Sequence, residues 1–514
     1  MLASVVSAAL TGLEGHPVDV EADVVAAAPS FSIVGLPDAA VQESRERVRA
    51  AIVNSGYEFP SRRITVNLAP ADLRKEGPAF DLPVALALLQ ATGQARAAGS
   101  PAAGPVAAAG ELGLDGSVRP IAGALAIAES LRRRRTRGIA VPAQNAAEAA
   151  LVAGLRVYPV RHLREAAAVL AGDGVAPATP LDAGRLLAGA HDGDADWSDI
   201  LGQAHVKRAL EVAVAGAHNV LMCGPPGAGK TMLARRLPGI MPPLTLDEAI
   251  AVTRIHSVAG LLPAGHALVT RRPLRAPHHT VSTVGLVGGG ATPRPGEVSL
   301  AHLGVLFLDE FPEFRVAALE GLRQPLEDGE VTISRALTSV RFPARIMLVA
   351  AMNPCPCGYL GDRGRSCVCP EYRVRQYRSR LSGPLLDRID LRIDVPRLAP
   401  AERRAGTGGE DSATVRARVV AARERQLARL AGTGAYANAH MTARQVRRLC
   451  RLRPAAVRLL DDAYEHLRLS ARACDRVVKV ARTIADLEGA ADIGPTHVGE
   501  ALSYRGHDRG APAG

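Results

Sequence analysis

Along the first 170 residues, short apolar runs alternate with amphipathic stretches. Residues 31–34 and 64–68 have the β-branched, period-two look of strands, and residues 39–54 repeat their apolar positions at helical spacing. Residues 171–196 lose this periodicity and fill with Gly, Ala, Pro and Asp, which predicts a linker. From 197 to 399 an apolar strand at 219–223 leads through a Gly-rich loop to a helix at 231–237. Two more apolar strands follow at 305–308 and 346–351. Unbroken apolar strands separated by helices predict a mostly parallel sheet with ligands at its carboxyl ends. A second Gly-rich linker at 400–412 precedes residues 413–506, which are helical throughout. They include a basic run at 442–452 and an amphipathic stretch at 472–487, and residues 507–514 form a tail. The expected class is therefore α/β, with an all-helical C-terminal domain.

Composition adjusts this picture in three places. A chain of 514 residues exceeds a single core, so two or three domains are expected. The net charge of +11 fits a polyanionic partner, or a solvated surface in a chain whose Ala, Gly and Arg bias reflects a GC-rich genome. No uncharged apolar stretch reaches the about 18 residues of a membrane span. The N-terminus has no basic leader before its apolar run, and a cytoplasmic chain is expected. Free thiols suit that compartment.

The strongest chemistry lies in Gly224-Pro225-Pro226-Gly227-Ala228-Gly229-Lys230-Thr231, a P-loop between a predicted strand and a predicted helix. Its glycines let successive backbone N–H groups curl around phosphates, and the helix start adds its positive end. Lys230 supplies a point charge to the terminal phosphates of ATP, and the Thr231 hydroxyl is a ligand for Mg²⁺. Four apolar residues at 305–308 run into Asp309 and Glu310. Asp309 is placed to hold magnesium, and Glu310 to polarise the attacking water. Two adjacent buried acids without a cation would be costly. Asn353 follows the next core strand, where it either orients that water or makes an ordinary turn before Pro354.

Further motifs add a resemblance. Residues Arg275-Ala276-Pro277-His278-His279-Thr280, Pro295-Gly296-Glu297-Val298-Ser299-Leu300-Ala301-His302 and Leu385-Leu386-Asp387-Arg388-Ile389-Asp390 resemble those of the magnesium-chelatase-like AAA+ ATPases, in the branch of YifB and ComM. The resemblance spans nearly the whole chain. It implies a homo-hexameric ring ATPase acting on DNA, since ComM-like members are linked to branch migration in natural transformation. It puts Arg388 in the role of an arginine finger reaching the neighbouring subunit's site. Arg472 corresponds to the lid arginine that touches nucleotide in its own subunit. Residues Lys75-Glu76-Gly77-Pro78-Ala79-Phe80-Asp81 and the run from Gly110 to Gly123 are similar to the proteolytic domain of Lon proteases, so the expected domains are a Lon-protease-like region (1–170), a P-loop AAA+ core (197–399) and a helical lid (413–506). In the first of these, Ala79 stands where the Lon serine nucleophile would be and Leu125 near its lysine, so no proteolysis is expected.

Cys355, Cys357, Cys367 and Cys369 bracket a polar loop and form either a zinc site or four reduced thiols. His278 and His279 invite a metal reading, but no third ligand sits at a recognisable spacing, which favours a loop role. Residues 329–343 read as a hairpin around Arg335, which either grips DNA in the pore or pairs with a neighbouring subunit. Three function classes remain open: a DNA-remodelling motor, a metallochelatase motor subunit, and a chaperone-like ATPase acting on a protein.

Overall fold

The computed structural model describes all residues except 96–104, 174–175, 180, 189–194, 291, 335–338, 363, 399–408 and 506–514. Arg335, the tail at 507–514 and parts of both linkers thus lie outside the described residues. The described chain forms two compact units: Met1–Gly189 with Thr245–Thr270, and Ala190–Leu244 with Arg271–Gly514.

The first unit is built on a four-stranded sheet of β1 (Leu2–Thr11), β2 (Glu14–Val25), β3 (Ser30–Val34) and β4 (Arg63–Ala69), in the order β1-β2-β4-β3. Strand β1 is buried on both faces: Val5 and Ala9 join one apolar cluster, Val6 and Ala8 another. The helix Asp81–Ala91 fills the first cluster, and the helix Ala124–Arg133 the second. Ala79 and Leu125 both pack into this second cluster, so apolar side chains occupy the corner where a serine and a lysine would be needed. The helix Leu246–Val258, from the middle of the chain, belongs to this unit and packs on the helix Ala124–Arg133.

The second unit holds a five-stranded, all-parallel sheet. Its strands are β5 (Val220–Cys223), β6 (Leu274–Arg275), β7 (Val305–Leu308), β8 (Met347–Met352) and β9 (Leu391–Asp394), in the order β6-β7-β8-β5-β9. Side chains alternate between two cores. Val220, Met222, Phe307 and Val349 face one apolar cluster, while Leu221, Leu306, Leu308 and Leu348 face the other. Such two-sided burial is what continuous apolar strands require. The chain order reverses at β5, and the P-loop leaves β5 at that switch point, where open α/β sheets bind ligands.

The loop leads into helix α1 (Lys230–Ile240). The helical region includes α2 (Ser412–Leu430), α3 (Ala443–Leu449), α4 (Pro454–Leu467) and α5 (Ala471–Leu487). Helices α2 and α5 share the first cluster with the core through Val415, Val419, Val477 and Ile484, so lid and sheet form one packed body. The hairpin expected at 329–343 forms from Glu330–Ser334 paired antiparallel with Ser339–Pro343.

Candidate nucleotide site

The P-loop closes tightly because its glycines occupy conformations other residues resist. Gly227 and Gly229 sit at φ of +78° and +90°, in the left-handed region. Gly224 meets a different demand: a Cβ there would lie 2.1 Å from the Val395 carbonyl oxygen. Within this curl Lys230 is nearly buried, and its Nζ donates to the carbonyl oxygens of Gly224 at 2.6 Å and Pro225 at 3.1 Å, and to Asn353 Oδ1 at 3.2 Å. Burial pushes the ammonium below its usual range, and the nearby Asp309 opposes that shift.

Opposite the loop, Thr231 Oγ1 donates to Asp309 Oδ2 at 2.7 Å. Neighbouring oxygens around an octahedral magnesium ion are about 2.9 Å apart, so this donor pair fits the ion. Glu310 takes φ of +52°, a strained value for a residue with a side chain. Its backbone N–H donates to Asp309 Oδ1 at 2.9 Å. Its carboxylate is mostly exposed to the pocket, with Oε2 lying 3.0 Å from His279 Nδ1. Residues Pro226 to Thr231, His278, His279, Asp309, Glu310 and Asn353 line one cavity of about 740 Å³. The structure thus brings together the P-loop, both acids and Asn353. It also supplies His279, whose contact with Glu310 spans 31 positions and leaves no local signature.

Arg388 and Arg472 lie elsewhere. Both line a second cavity of about 540 Å³ with Asn219, Ile346 and Asp390, the residues that precede β5, β8 and β9. In a parallel sheet this is the amino end, a full strand length from the P-loop; four residues already span about 13 Å. Arg472 therefore does not reach the P-loop of its own chain, against the expectation for a lid arginine. Arg388 is held by the carbonyl oxygens of Arg323 at 3.0 Å and Pro384 at 2.8 Å, and by Glu327.

Below this cavity runs a buried polar network that sequence alone did not reveal. The Asn219 side chain donates to the Arg388 carbonyl at 2.9 Å and accepts from Leu348 N at 2.8 Å. Asp390 accepts from Asn219 N at 3.0 Å and lies 3.4 Å from Arg476 and 3.5 Å from His218. Burial works against its charge, but His218 and Arg476 outweigh burial and hold its pKa below the usual range. His218 Nε2 also lies 2.8 Å from Thr483 Oγ1 on α5. Strands that end in the P-loop and in Asn353 are thereby tied at their other end to Arg388 and to the lid.

The four cysteines converge as the spacing allowed. Cys355 Sγ lies 3.4 Å from Cys357 Sγ and 3.6 Å from Cys367 Sγ, and all four sulfurs fall within 4.8 Å of one another. A tetrahedral zinc with bonds of about 2.3 Å separates its sulfurs by about 3.8 Å, so the cluster fits the ion. Backbone N–H groups of Tyr359 and Val368 pull the Cys357 thiol down, while the neighbouring thiols push Cys367 and Cys369 up, so the cluster favours one thiolate and resists the others without a cation. The knot abuts the nucleotide loop: a Cβ on Gly358 would lie 2.6 Å from Pro226 Cδ, and Cys355 follows Asn353 by two residues.

Comparison with known proteins agrees along the whole chain. The family profile described as magnesium chelatase, subunit ChlI, matches residues 196–403. Profiles for subunit ChlI of Mg-chelatase and for the ChlI C-terminal region match residues 20–145 and 409–505. The YifB protein of Salmonella typhimurium is 44% identical over 510 residues, covering 99% of this chain and 98% of its own. The competence protein ComM of Haemophilus influenzae is 44% identical over 507 residues, covering 98% and 97%. Lon protease 2 of Bacillus subtilis is 32% identical over 157 residues, covering 28% and 27%.

Proposed function

The chain belongs to the magnesium-chelatase ChlI family, in the group of YifB and ComM, and from that membership we propose that it is an ATP-hydrolysing ring motor acting on DNA, a branch-migration helicase of recombination or natural transformation. One observation carries the ATPase part: Lys230, Thr231, Asp309, Glu310 and Asn353 line a single cavity. Lys230 and the loop N–H groups bind the phosphates of ATP. Thr231 and Asp309 would hold Mg²⁺, which would neutralise charge on those phosphates. Glu310 accepts a hydrogen bond from the attacking water, Asn353 orients it, and His279 steadies the Glu310 carboxylate.

Arg388 and Arg472 share the second cavity at the far end of the sheet. We assign both to the nucleotide of the neighbouring subunit, where their guanidinium groups offset charge growing on the γ-phosphoryl group. A ring, taken here as a hexamer, brings one subunit's arginines to the next subunit's P-loop. The DNA assignment draws on the net charge of +11 and on the ComM relative. A zinc ion in the four-cysteine knot would brace Asn353 and Pro226.

The test is ATP turnover with no DNA and with single-stranded, duplex or branched DNA, beside Lys230→Ala. Stimulation by DNA that the variant lacks supports the motor. Turnover indifferent to every DNA rejects it in favour of a protein client or chelatase partner.

A further inference from the structure

We propose that the outer face of the lid around α3 is a second docking surface for the DNA backbone, separate from any ring pore. Arg444, Arg447 and Arg448 are exposed on α3. Spacings of three and four residues place side chains about 5–6 Å apart on one helical face. Beyond α3 the chain is pinned in an extended form: Leu452 bridges to Ile493, Ile493 N donates to the Arg451 carbonyl, and Arg453 N donates to the Ile493 carbonyl. Leu452 packs against the buried core, so Arg451 and Arg453, on either side of it, point the other way and are exposed. Five guanidinium groups thus stand within ten positions, and none pairs with a described acidic residue.

This surface is rigid. Thr442 and Gln445 form a reciprocal cap at the start of α3, and Val446 and Cys450 anchor its other face in the core. Unpaired forks on a fixed scaffold suit a polyanion with closely spaced phosphates. A membrane is a poorer match, because membrane-binding helices present apolar wedges beside their charges. Here Val446 and Cys450 are buried, and Leu449 and Leu452 pack against the core. The surface also adjoins the second cavity: Thr442 and Ala443 line it together with Arg388 and Arg472. DNA on α3 therefore abuts the wall that faces the neighbour's nucleotide, and its arrival raises ATP turnover.

This inference rests on the DNA-motor reading, and its test separates the two. Affinity of the full-length assembly for a fluorescent branched DNA is measured against salt for wild type and for Arg444→Gln/Arg447→Gln/Arg448→Gln/Arg451→Gln, with vesicles rich in phosphatidylserine in parallel. Each phosphate contact contributes about 0.9 to the slope of log affinity against log salt. The variant is expected to lose about 2–4 of that slope and most DNA stimulation, while keeping basal turnover and melting temperature. The single changes Arg447→Gln and Arg448→Gln, each losing about 1, guard against misfolding of the multiple variant. Wild-type slope and affinity in the variants overturn the α3 surface alone. Wild type without DNA affinity overturns the motor reading itself. Vesicle binding lost in the variant while DNA binding persists overturns the choice of DNA as occupant.

Discussion

The two ends of the five-stranded sheet carry opposite kinds of incompleteness. At the carboxyl end, the loop, both acids and Asn353 line one cavity together with Lys230 and Arg235, and neither Arg388 nor Arg472 is among its lining residues. At the amino end, Arg388 and Arg472 share a cavity that has arginines and no phosphate loop. A parallel sheet keeps Arg388 and Arg472 apart from the P-loop within one chain, and the proposed reading gives them to the site of a second copy. On the proposed reading, catalysis needs a second copy. The network through Asn219, Asp390 and His218 ties the amino ends of the strands that carry the P-loop and Asn353 to the backbone of Arg388.

Changes at the carboxyl end should be the most severe. Lys230→Ala is expected to abolish measurable ATP turnover by removing the charge inside the loop. Glu310→Gln should lower kcat by about 10²–10³ while nucleotide binding persists. A fluorescent ATP analogue and single-turnover hydrolysis check both, and weak binding by the glutamine variant would recast Glu310 as a phosphate contact. At the amino end, Arg388→Ala should lower kcat by about 10³ with binding to the P-loop unchanged, since the group acts only on the transition state. A KM that rises in proportion would place Arg388 in ground-state binding instead.

Smaller effects test the supports of the carboxyl end. Chelation or Cys357→Ser should release about one zinc per chain, read with a chromogenic chelator, and lower the melting temperature by about 5 °C or more. Turnover should fall with it, because the knot braces Pro226 and Asn353. Absence of zinc from protein purified under reducing conditions would leave four reduced thiols. His279→Ala should cost about 10-fold in kcat, and His279→Gln, which can still donate to Glu310, should recover part of the loss. Equal damage in both variants would mean that the imidazole does more than steady the carboxylate.

How much of this was legible in the sequence follows from range. The P-loop and the Asp309–Glu310 pair are contiguous motifs bordered by apolar strands, and their element types could be read directly. Asn353 was found by its place after a third apolar strand. The four cysteines were readable as a cluster because both pairs border one short loop. What failed depends on long-range packing. Arg472 was expected beside its own nucleotide, but α2 and α5 pack on one face of the sheet and carry it to the amino end. Nothing local marks Thr245–Thr270 as part of the first unit. His279 reads as a loop residue until β6 and β7 lie side by side, when it comes within 3.0 Å of Glu310.

Mixed assemblies test the split site most directly. Lys230→Ala subunits keep their arginines and Arg388→Ala subunits keep their P-loop, and each alone is expected to be nearly inactive. Co-assembled in equal amounts, a phosphate loop meets an intact arginine at about one interface in four. The account expects turnover to rise to about that fraction of wild type. Mixed rings no more active than either variant alone, with subunit exchange verified, would contradict it and place Arg388 in the service of its own chain's nucleotide.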